Sequence, residues 1–171
     1  MSIAITTTHG HVARALSFQQ RDDLYFKLGK SQTPWDDEFN PPTAEQSDQV
    51  VEILGYKKVE TALMVVPDEN GSLMYRNERF RPVTTENAFS EGARWVYISS
   101  DISYTELPVD GVYRQIGLSS RVTKKEGVDA NKYALLPEEV DSVGIDEILD
   151  NRKPIYRSDD MKENIVLVIE F

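Results

Sequence analysis

The residues best suited to metal chemistry in this sequence are two histidines, His9 and His11, which flank Gly10. Two imidazoles this close can share a metal ion, but a structural zinc site needs four ligands and a catalytic site needs three. The chain has only these two histidines and no cysteine, so no further imidazole or thiolate can complete the set. The sequence therefore predicts no metal site and no metal cofactor.

Nucleophile and phosphate motifs are the next chemistry to consider. The Gly-x-Ser-x-Gly elbow of serine hydrolases does not occur, and residues 117–120, Gly-Leu-Ser-Ser, lack its second glycine. A P-loop needs Gly-x-x-x-x-Gly-Lys-Ser/Thr, but residues 29–31, Gly-Lys-Ser, have no glycine at the required position upstream. Gly-x-Gly-x-x-Gly is also missing from the sequence. The sequence therefore predicts neither a serine nucleophile nor a nucleotide cofactor.

Carboxylates are numerous enough that no single pair can be assigned a role in acid–base chemistry. Asp36, Asp37 and Glu38, followed by Asn40, have the oxygen content of a calcium loop. They lack the alternating spacing and the central glycine of an EF-hand, so ion binding here stays open. Glycosidase chemistry needs two carboxylates facing each other across a cleft, and spacing alone cannot identify them in so acidic a chain. We predict no catalytic residue and no enzymatic activity.

Composition narrows the classes of partner. The 171 residues carry a formal net charge of −10 with a pI near 4.7, which argues against binding the phosphates of nucleic acids. No signal peptide and no run of 18 apolar residues is present, so no membrane partner is expected. Without cysteine the fold must rely on packing, which suits a reducing cytoplasm. Residues 34–70 hold nine acids against two lysines, either a solvated face or an acidic patch that complements a basic partner.

One segment, residues 23–42, combines a strand with an unusual loop. Leu24, Phe26 and Leu28 alternate with polar residues, which predicts a strand. A loop from Pro34 to Thr43 follows, in which prolines restrict the backbone around Trp35. A rigid, proline-braced indole loses little entropy on docking. Trp35 is therefore expected either to dock in a partner or to pack over its own core.

The remaining patterns predict a mainly β (α+β) fold: an antiparallel β-sheet core with one or two short helices, long loops and extended terminal arms. We expect a single structural domain over residues 1–171, with an N-terminal arm at 1–22 and a long flexible loop at 119–133. The elements expected elsewhere are a helix at 44–54, a strand at 56–66, a turn at 68–71 with a returning strand at 73–76, strands at 94–99, 111–118 and 164–171, a strand or helical turn at 141–150, and a turn at 151–157.

Two of these segments resemble a known family. Residues 24–42 read as a strand ending in Tyr-x-x-x-Gly-Lys and running into Pro-Trp-x-x-Glu and Pro-Pro. Residues 150–157, Asp-Asn-Arg-x-Pro-Ile-x-Arg, and the ending Ile-Glu-Phe at 169–171 provide a second match. Both are similar to the baseplate wedge and tail structural proteins of contractile-tailed bacteriophages (myoviruses). The resemblance implies a protein of the virion tail and baseplate, assembled in the bacterial host cytoplasm.

The family also implies a role and a set of partners. The expected role is a wedge component that joins neighbouring subunits during tail assembly, with other baseplate, tube or sheath subunits, or copies of itself, as partners. A neck, collar or sheath-terminating protein of the same virion is the alternative. A small β-rich carbohydrate-binding module or glycan-acting enzyme is the alternative from another class, because a proline-locked tryptophan among acids also suits a sugar groove. The residues expected at the interface are Tyr25, Pro34, Trp35, Asp36, Asp37, Pro41, Pro42, Trp95, Tyr97, Arg152, Tyr156, Arg157 and Phe171.

Overall fold

A computed structural model describes residues 2–31, 34–108 and 111–171. The chain divides into two compact units. Unit 1 consists of Met1–Asp22, Glu60–Ser100 and Ile165–Phe171, and unit 2 of Asp23–Val59 and Asp101–Asn164. In chain order the elements are α1 (Thr8–Gln19), β1 (Tyr25–Gly29), β2 (Ile53–Lys58), β3 (Thr61–Pro67), β4 (Leu73–Tyr75), β5 (Glu78–Pro82), β6 (Trp95–Ile102), β7 (Val112–Ser120), β8 (Thr123–Lys124), β9 (Ala134–Leu135), β10 (Val140–Ser142), β11 (Ile145–Tyr156) and β12 (Glu163–Glu170), with short 3₁₀ turns at Thr85–Asn87 and Pro137–Glu139.

Unit 1 contains the α-helix and a five-stranded sheet in the order β12-β6-β3-β5-β4. Helix α1 begins after Thr7, whose side-chain oxygen accepts a hydrogen bond from the Gly10 amide at 3.0 Å and so caps the first turn. Val12, Ala15 and Phe18 form its buried face. Their three- and four-residue spacing is that of one helix face, so α1 belongs to the core of unit 1.

The β4–β5 hairpin of unit 1 turns at Arg76 and Asn77, whose φ angles of 48° and 67° are positive. Positive φ at both central residues is typical of the tight turn that joins twisted antiparallel strands. The prediction that 73–76 would return directly against 56–66 was therefore wrong, because β4 pairs with β5 and β5 pairs with β3. The expected strand 56–66 is also two strands, β2 and β3, interrupted at Val59 and Glu60.

Unit 2 contains a five-stranded sheet in the order β11-β7-β1-β2-β9 and a two-stranded ribbon of β8 and β10. Each neighbouring pair in both sheets of this unit is antiparallel. Strand β1 lies in the middle and all five of its residues are buried, which agrees with a strand flanked on both edges. Tyr25, Tyr56, Leu135 and Val140 form a buried apolar cluster in this unit.

Two sequence predictions for unit 2 were wrong. Residues 44–50 form no helix, and the apolar residues that suggested one lead instead into strand β2, which begins at Ile53. Residues 151–157 do not turn the chain, because β11 continues to Tyr156. A bulge between Asn151 and Ile155 accommodates Pro154, which has no amide hydrogen for a regular ladder.

The mainly β, antiparallel fold class with one α-helix is confirmed, and so is the strand at the end of the sequence. The undecided segment 141–150 is extended, since it belongs to β10 and β11. Within the expected loop 119–133, two residues continue β7 and two form β8. The single domain, the arm at 1–22 and the flexibility of 119–133 stay predictions.

Candidate functional site

The segment between β1 and β2, called here the connector, comprises residues 34–51 and contains neither helix nor strand. Trp35 is half-buried, and its Nε1 donates a hydrogen bond to the Arg152 carbonyl oxygen at 2.8 Å. Farther along, the Asn151 side-chain amide donates to the Pro42 carbonyl oxygen at 3.0 Å. Both contacts are made to β11 at its bulge. The ladder with β7 is interrupted there, so the Arg152 carbonyl oxygen can accept a hydrogen bond from the connector.

Arg114 of β7 fixes the middle of the connector. Its Nε lies 3.0 Å from both carboxylate oxygens of Glu38, and its second terminal nitrogen lies 2.8 Å from one of them. The remaining terminal nitrogen donates to the Lys30 carbonyl oxygen at 3.2 Å. A guanidinium fork that binds a carboxylate through more than one nitrogen restricts orientation as well as distance. Arg114 is buried, so this ion pair is shielded from solvent better than a surface pair.

The far end of the connector is held by two side chains of the sheet. The Val50 amide donates to Asp146 Oδ2 and the Val51 amide donates to Gln115 Oε1, each at 3.1 Å. Asp146 Oδ1 also accepts from Lys27 Nζ and from Ser119 Oγ, both at 2.6 Å. In a helix the Val50 and Val51 amides would donate to backbone carbonyl oxygens of the same helix. Here they donate to side chains of the sheet instead.

The charge state of Asp146 follows from these contacts. Burial raises the pKa of this carboxyl, but hydrogen bonds from Lys27, Ser119 and Val50 outweigh burial and hold the pKa below its ordinary value. Lys27 is only 2% exposed, so the carboxylate is the counter-charge of a buried ammonium group. The Lys27–Asp146 pair therefore links β1, β11 and the end of the connector in one buried polar cluster.

Two large aromatic side chains remain in solvent beside these anchors. Phe39 in the connector is 77% exposed and Tyr156 at the end of β11 is 75% exposed. Asp37 holds the backbone at Phe39, since its Oδ1 accepts the Phe39 amide and its Oδ2 accepts the Asn40 side chain. The hydrogen bond from the Asn40 side chain and then that from the Phe39 amide hold the pKa of Asp37 below its usual value, and the charge of Lys153 contributes. Phe39 is thus presented on a braced turn.

A cleft of about 650 Å³ opens beside the connector, between Trp35, Pro42 and the side chains of Gln115 and Asn151. Two of the amide side chains that line it, Gln115 and Asn151, are already bound within the protein. Gln115 accepts from Val51 and donates to Asn151 at 3.3 Å, while Asn151 donates to Pro42. These two side chains hold the connector, and further polar residues also line the cleft: Thr43, Glu45, Ser47, Asp48 and Gln49.

The structure gathers some of the expected interface residues and separates others. Tyr25 and Arg157 are buried in unit 2, where Arg157 donates to Glu163 and to the Ser103 and Pro108 carbonyl oxygens. In unit 1 the Phe171 ring lies 5.1 Å from the Phe18 ring. Whether any expected residue contacts a partner stays a prediction. Those in or beside the connector are Pro34, Trp35, Asp36, Asp37, Pro41, Pro42, Arg152 and Tyr156, and Trp95, Tyr97 and Phe171 belong to unit 1.

Sequence reasoning missed Phe39, Arg114 and Asp146. Phe39 could have been noticed as the one strongly apolar side chain between Trp35 and the Pro41-Pro42 pair. Arg114 lies in a strand that is otherwise largely apolar or uncharged, which is a signal for a buried ion pair. Asp146 carries no comparable signal, because it is one of many acids.

Within residues 2–31, 34–108 and 111–171, no group of three or more histidine, aspartate or glutamate side chains is arranged to hold a metal ion. In the same part of the chain, no helix has both the length and the apolar character needed to cross a bilayer.

Comparison with known proteins gives two matches. The sequence matches the model of a family described as "Baseplate wedge 3 tail fiber network component" over residues 3–171. It is also 30% identical, over 178 residues, to "Virion protein 3" of Enterococcus phage phiEF24C, and the alignment covers 98% of this chain and 96% of that protein. The connector and both units therefore fall within the matched region.

Proposed function

Since the chain belongs to the baseplate wedge 3 tail fiber network component family, we propose that it joins neighbouring baseplate subunits through the surface around its connector. The family and the related virion protein establish a structural protein of the phage tail and baseplate, as the sequence resemblance implied. A component of a tail fibre network interacts with other baseplate proteins. The proposal concerns which surface of this chain makes that contact and what kind of partner surface it fits.

The observation that carries the proposal is the exposure of Phe39 on a braced backbone. A phenylalanine that is 77% exposed gains nothing from the fold of its own chain. Trp35, Glu38 and Pro42 bind the sheet on either side of it, so its position is largely fixed before a partner arrives. Fixing an aromatic anchor in advance lowers the entropy that binding must overcome, and rigid aromatics dominate the energetics of protein interfaces.

The charges around Phe39 indicate the partner. Exposed carboxylates lie before and after Phe39 in the connector, and one more follows directly after residue 51. The charge of Glu38 is already neutralised by Arg114. A partner face that carries lysine or arginine around an apolar recess would complement this surface. A second copy of this chain is a poor fit, because each copy has a formal charge of −10. The exposed carboxylates are those of Asp36, Asp37, Glu45, Asp48 and Glu52.

The alternatives from the sequence have less support. A neck, collar or sheath-terminating position disagrees with a family described as a baseplate wedge component. A carbohydrate-binding module or glycan-acting enzyme would use the cleft beside Trp35, but Gln115 and Asn151 hold the connector there, and the matching family is described as a component of a tail fiber network. The structural role therefore explains more of the site than sugar binding does.

The test is a pair of aromatic substitutions in the full chain. Phe39→Ala and Tyr156→Ala should leave thermal unfolding of the free protein within about 0.5 kcal/mol of the wild type, because both side chains are in solvent. Phe39→Ala should strongly reduce incorporation into baseplates, measured by complementing a phage that lacks this protein and analysing the particles by mass spectrometry and negative-stain microscopy. A smaller reduction is expected for Tyr156→Ala.

Tyr104→Ala is the matched control, since Tyr104 is also solvent-exposed, at 51%, but lies outside the connector and β11. It should incorporate normally. If Phe39→Ala chains were incorporated as well as the Tyr104→Ala control, the connector surface would not be the joining surface.

A further inference from the structure

A second feature, in unit 1, is a pair of solvent-exposed isoleucines in the segment that precedes helix α1. Residues 2–6 precede helix α1 and belong to neither a helix nor a strand. Ile3 is 82% exposed and Ile5 is 86% exposed. The helix begins only at the Thr7 cap, which fixes where the ordered helix starts and leaves these isoleucines outside it.

The composition of this segment favours a β-strand that lacks its sheet. Ser-Ile-Ala-Ile-Thr-Thr-Thr, residues 2–8, is rich in β-branched side chains and contains no charge. Ile3 and Ile5 are two residues apart, so in an extended conformation both side chains point to the same face, about 7 Å from each other. An uncharged, apolar, β-prone segment in solvent is an aggregation hazard, and proteins usually protect such segments by pairing them or by adding charge.

We infer that residues 2–6 add as a β-strand to the open sheet edge of a different baseplate subunit, with Ile3 and Ile5 entering two apolar pockets beside that edge. The inference rests on the proposed function, because it assumes that the chain joins neighbouring subunits of the baseplate. In this mode of recognition the main-chain hydrogen bonds supply affinity and the alternate side chains supply specificity.

The subunit whose sheet edge binds residues 2–6 is a different protein and not a second copy of this chain. Each copy carries a formal net charge of −10, so electrostatic repulsion disfavours the close approach of two copies. The segment itself is uncharged from residue 2 to residue 8, so it can lie along an edge of either charge. The partner edge therefore needs an unpaired strand and two apolar pockets, and the segment itself sets no requirement on the charge of that edge.

Hydrogen exchange of the full chain, free and within the assembled baseplate, tests the strand. The amides of residues 3–6 should exchange rapidly in the free protein, and alternate amides should slow markedly in the particle, because a strand bonds to one neighbour through every second residue. Unchanged exchange in a particle that contains the chain would overturn strand addition alone. Normal incorporation of Phe39→Ala chains, with the amides of residues 3–6 slowed in that particle, would instead overturn the proposed function and leave strand addition standing.

The partner can be identified because the chain has no cysteine. Ala4→Cys introduces a single thiol, and a photoreactive maleimide attached there should crosslink to another baseplate subunit. Crosslinks to a second copy of this chain would overturn the partner assignment.

A substitution tests the two pockets. Ile3→Thr with Ile5→Thr keeps β-branching but removes apolar surface, and should lower incorporation on the order of tenfold or more while leaving unfolding of the free chain unchanged. Met74→Thr, a change at another exposed apolar residue of unit 1, is the matched control and should have no effect. Normal incorporation of the double variant would exclude the pockets.

Discussion

Asp146→Asn is the substitution that most directly tests how the connector is held. The change keeps the shape of the side chain and removes its charge. Lys27, whose side chain is 3% exposed, would then keep its ammonium group in the interior with the Val143 carbonyl oxygen at 3.0 Å but no counter-ion at the 2.6 Å position. Breaking a buried ion pair by removing one partner leaves an uncompensated buried charge, which typically costs about 3–5 kcal/mol.

This loss of unfolding free energy can be converted into a shift of the thermal unfolding midpoint. For a chain of this size, 1 kcal/mol corresponds to about 2–4 °C in the unfolding midpoint. Asp146→Asn should therefore lower the midpoint by roughly 6–20 °C at neutral pH. Glu91→Gln is a matched control, because Glu91 pairs with Arg81 at the surface, where losing an ion pair costs roughly 0–1 kcal/mol.

A second variant separates the buried charge from other causes. Lys27→Met combined with Asp146→Asn removes the ammonium group as well, and should be more stable than Asp146→Asn alone. Thermal unfolding followed by circular dichroism measures both. If the midpoint of Asp146→Asn matched the wild type, or if the double variant were the less stable of the two, the buried charge would not be what holds this cluster.

The same pair predicts a pH dependence with a definite sign. The pKa of Asp146 is lower in the folded protein than in the unfolded chain, so its contribution to the free energy of unfolding is complete above the ordinary carboxyl range. That contribution is lost as the pH falls through the lowered pKa. The wild type should lose stability on acidification more steeply than Asp146→Asn, which has no carboxyl to protonate at this position.

Two further predictions concern aromatic side chains. Trp35→Phe should lower the stability of the free chain by about 1 kcal/mol, because the Nε1 hydrogen bond to Arg152 is lost; an unchanged midpoint by urea denaturation would indicate that the indole contributes only after docking in a partner. Burial, with a smaller contribution from the charge of Asp146, raises the pKa of Tyr56 to about 12, so alkaline titration of tyrosinate absorbance should show a group ionising near pH 12. Because this pKa is raised on folding, the associated stability is complete below about pH 10 and lost as the pH rises towards 12, and titration of every tyrosine near pH 10 would contradict the burial of Tyr56.

Elements whose signal is local were predicted from the sequence. The strand at 24–28 was found from alternation, and the terminal strand from a run of β-branched residues. In β6 the two apolar residues of one face, Val96 and Ile98, are completely buried. A period-two pattern records which face meets the core, so these strands could be identified without knowing their neighbours.

Elements whose conformation depends on residues far away in the sequence were not predicted correctly. The helix expected at 44–54 rested on Val50, Val51 and Leu54 at helical spacing. In the structure the amides of Val50 and Val51 bind side chains 96 and 64 residues away in sequence. Local helix propensity takes no account of such distant side chains. They compete with a helix for the backbone amides, and shielded amides must be hydrogen-bonded to one partner or the other. The bulge in β11 escaped notice for a related reason, since Pro154 signals a turn as readily as a bulge.

What the sequence by itself determined is the class of protein, a structural protein of the phage baseplate. The two segments that resemble baseplate wedge proteins were recognised without coordinates. Only the tertiary structure decided which aromatic faces outward. Trp35, the residue that the sequence favoured, is half-buried and bonded to Arg152, while Phe39, four residues later, stands in solvent. That choice depends on where β11 and Arg114 lie beside the connector, and long-range packing of this kind leaves no periodic trace in the sequence.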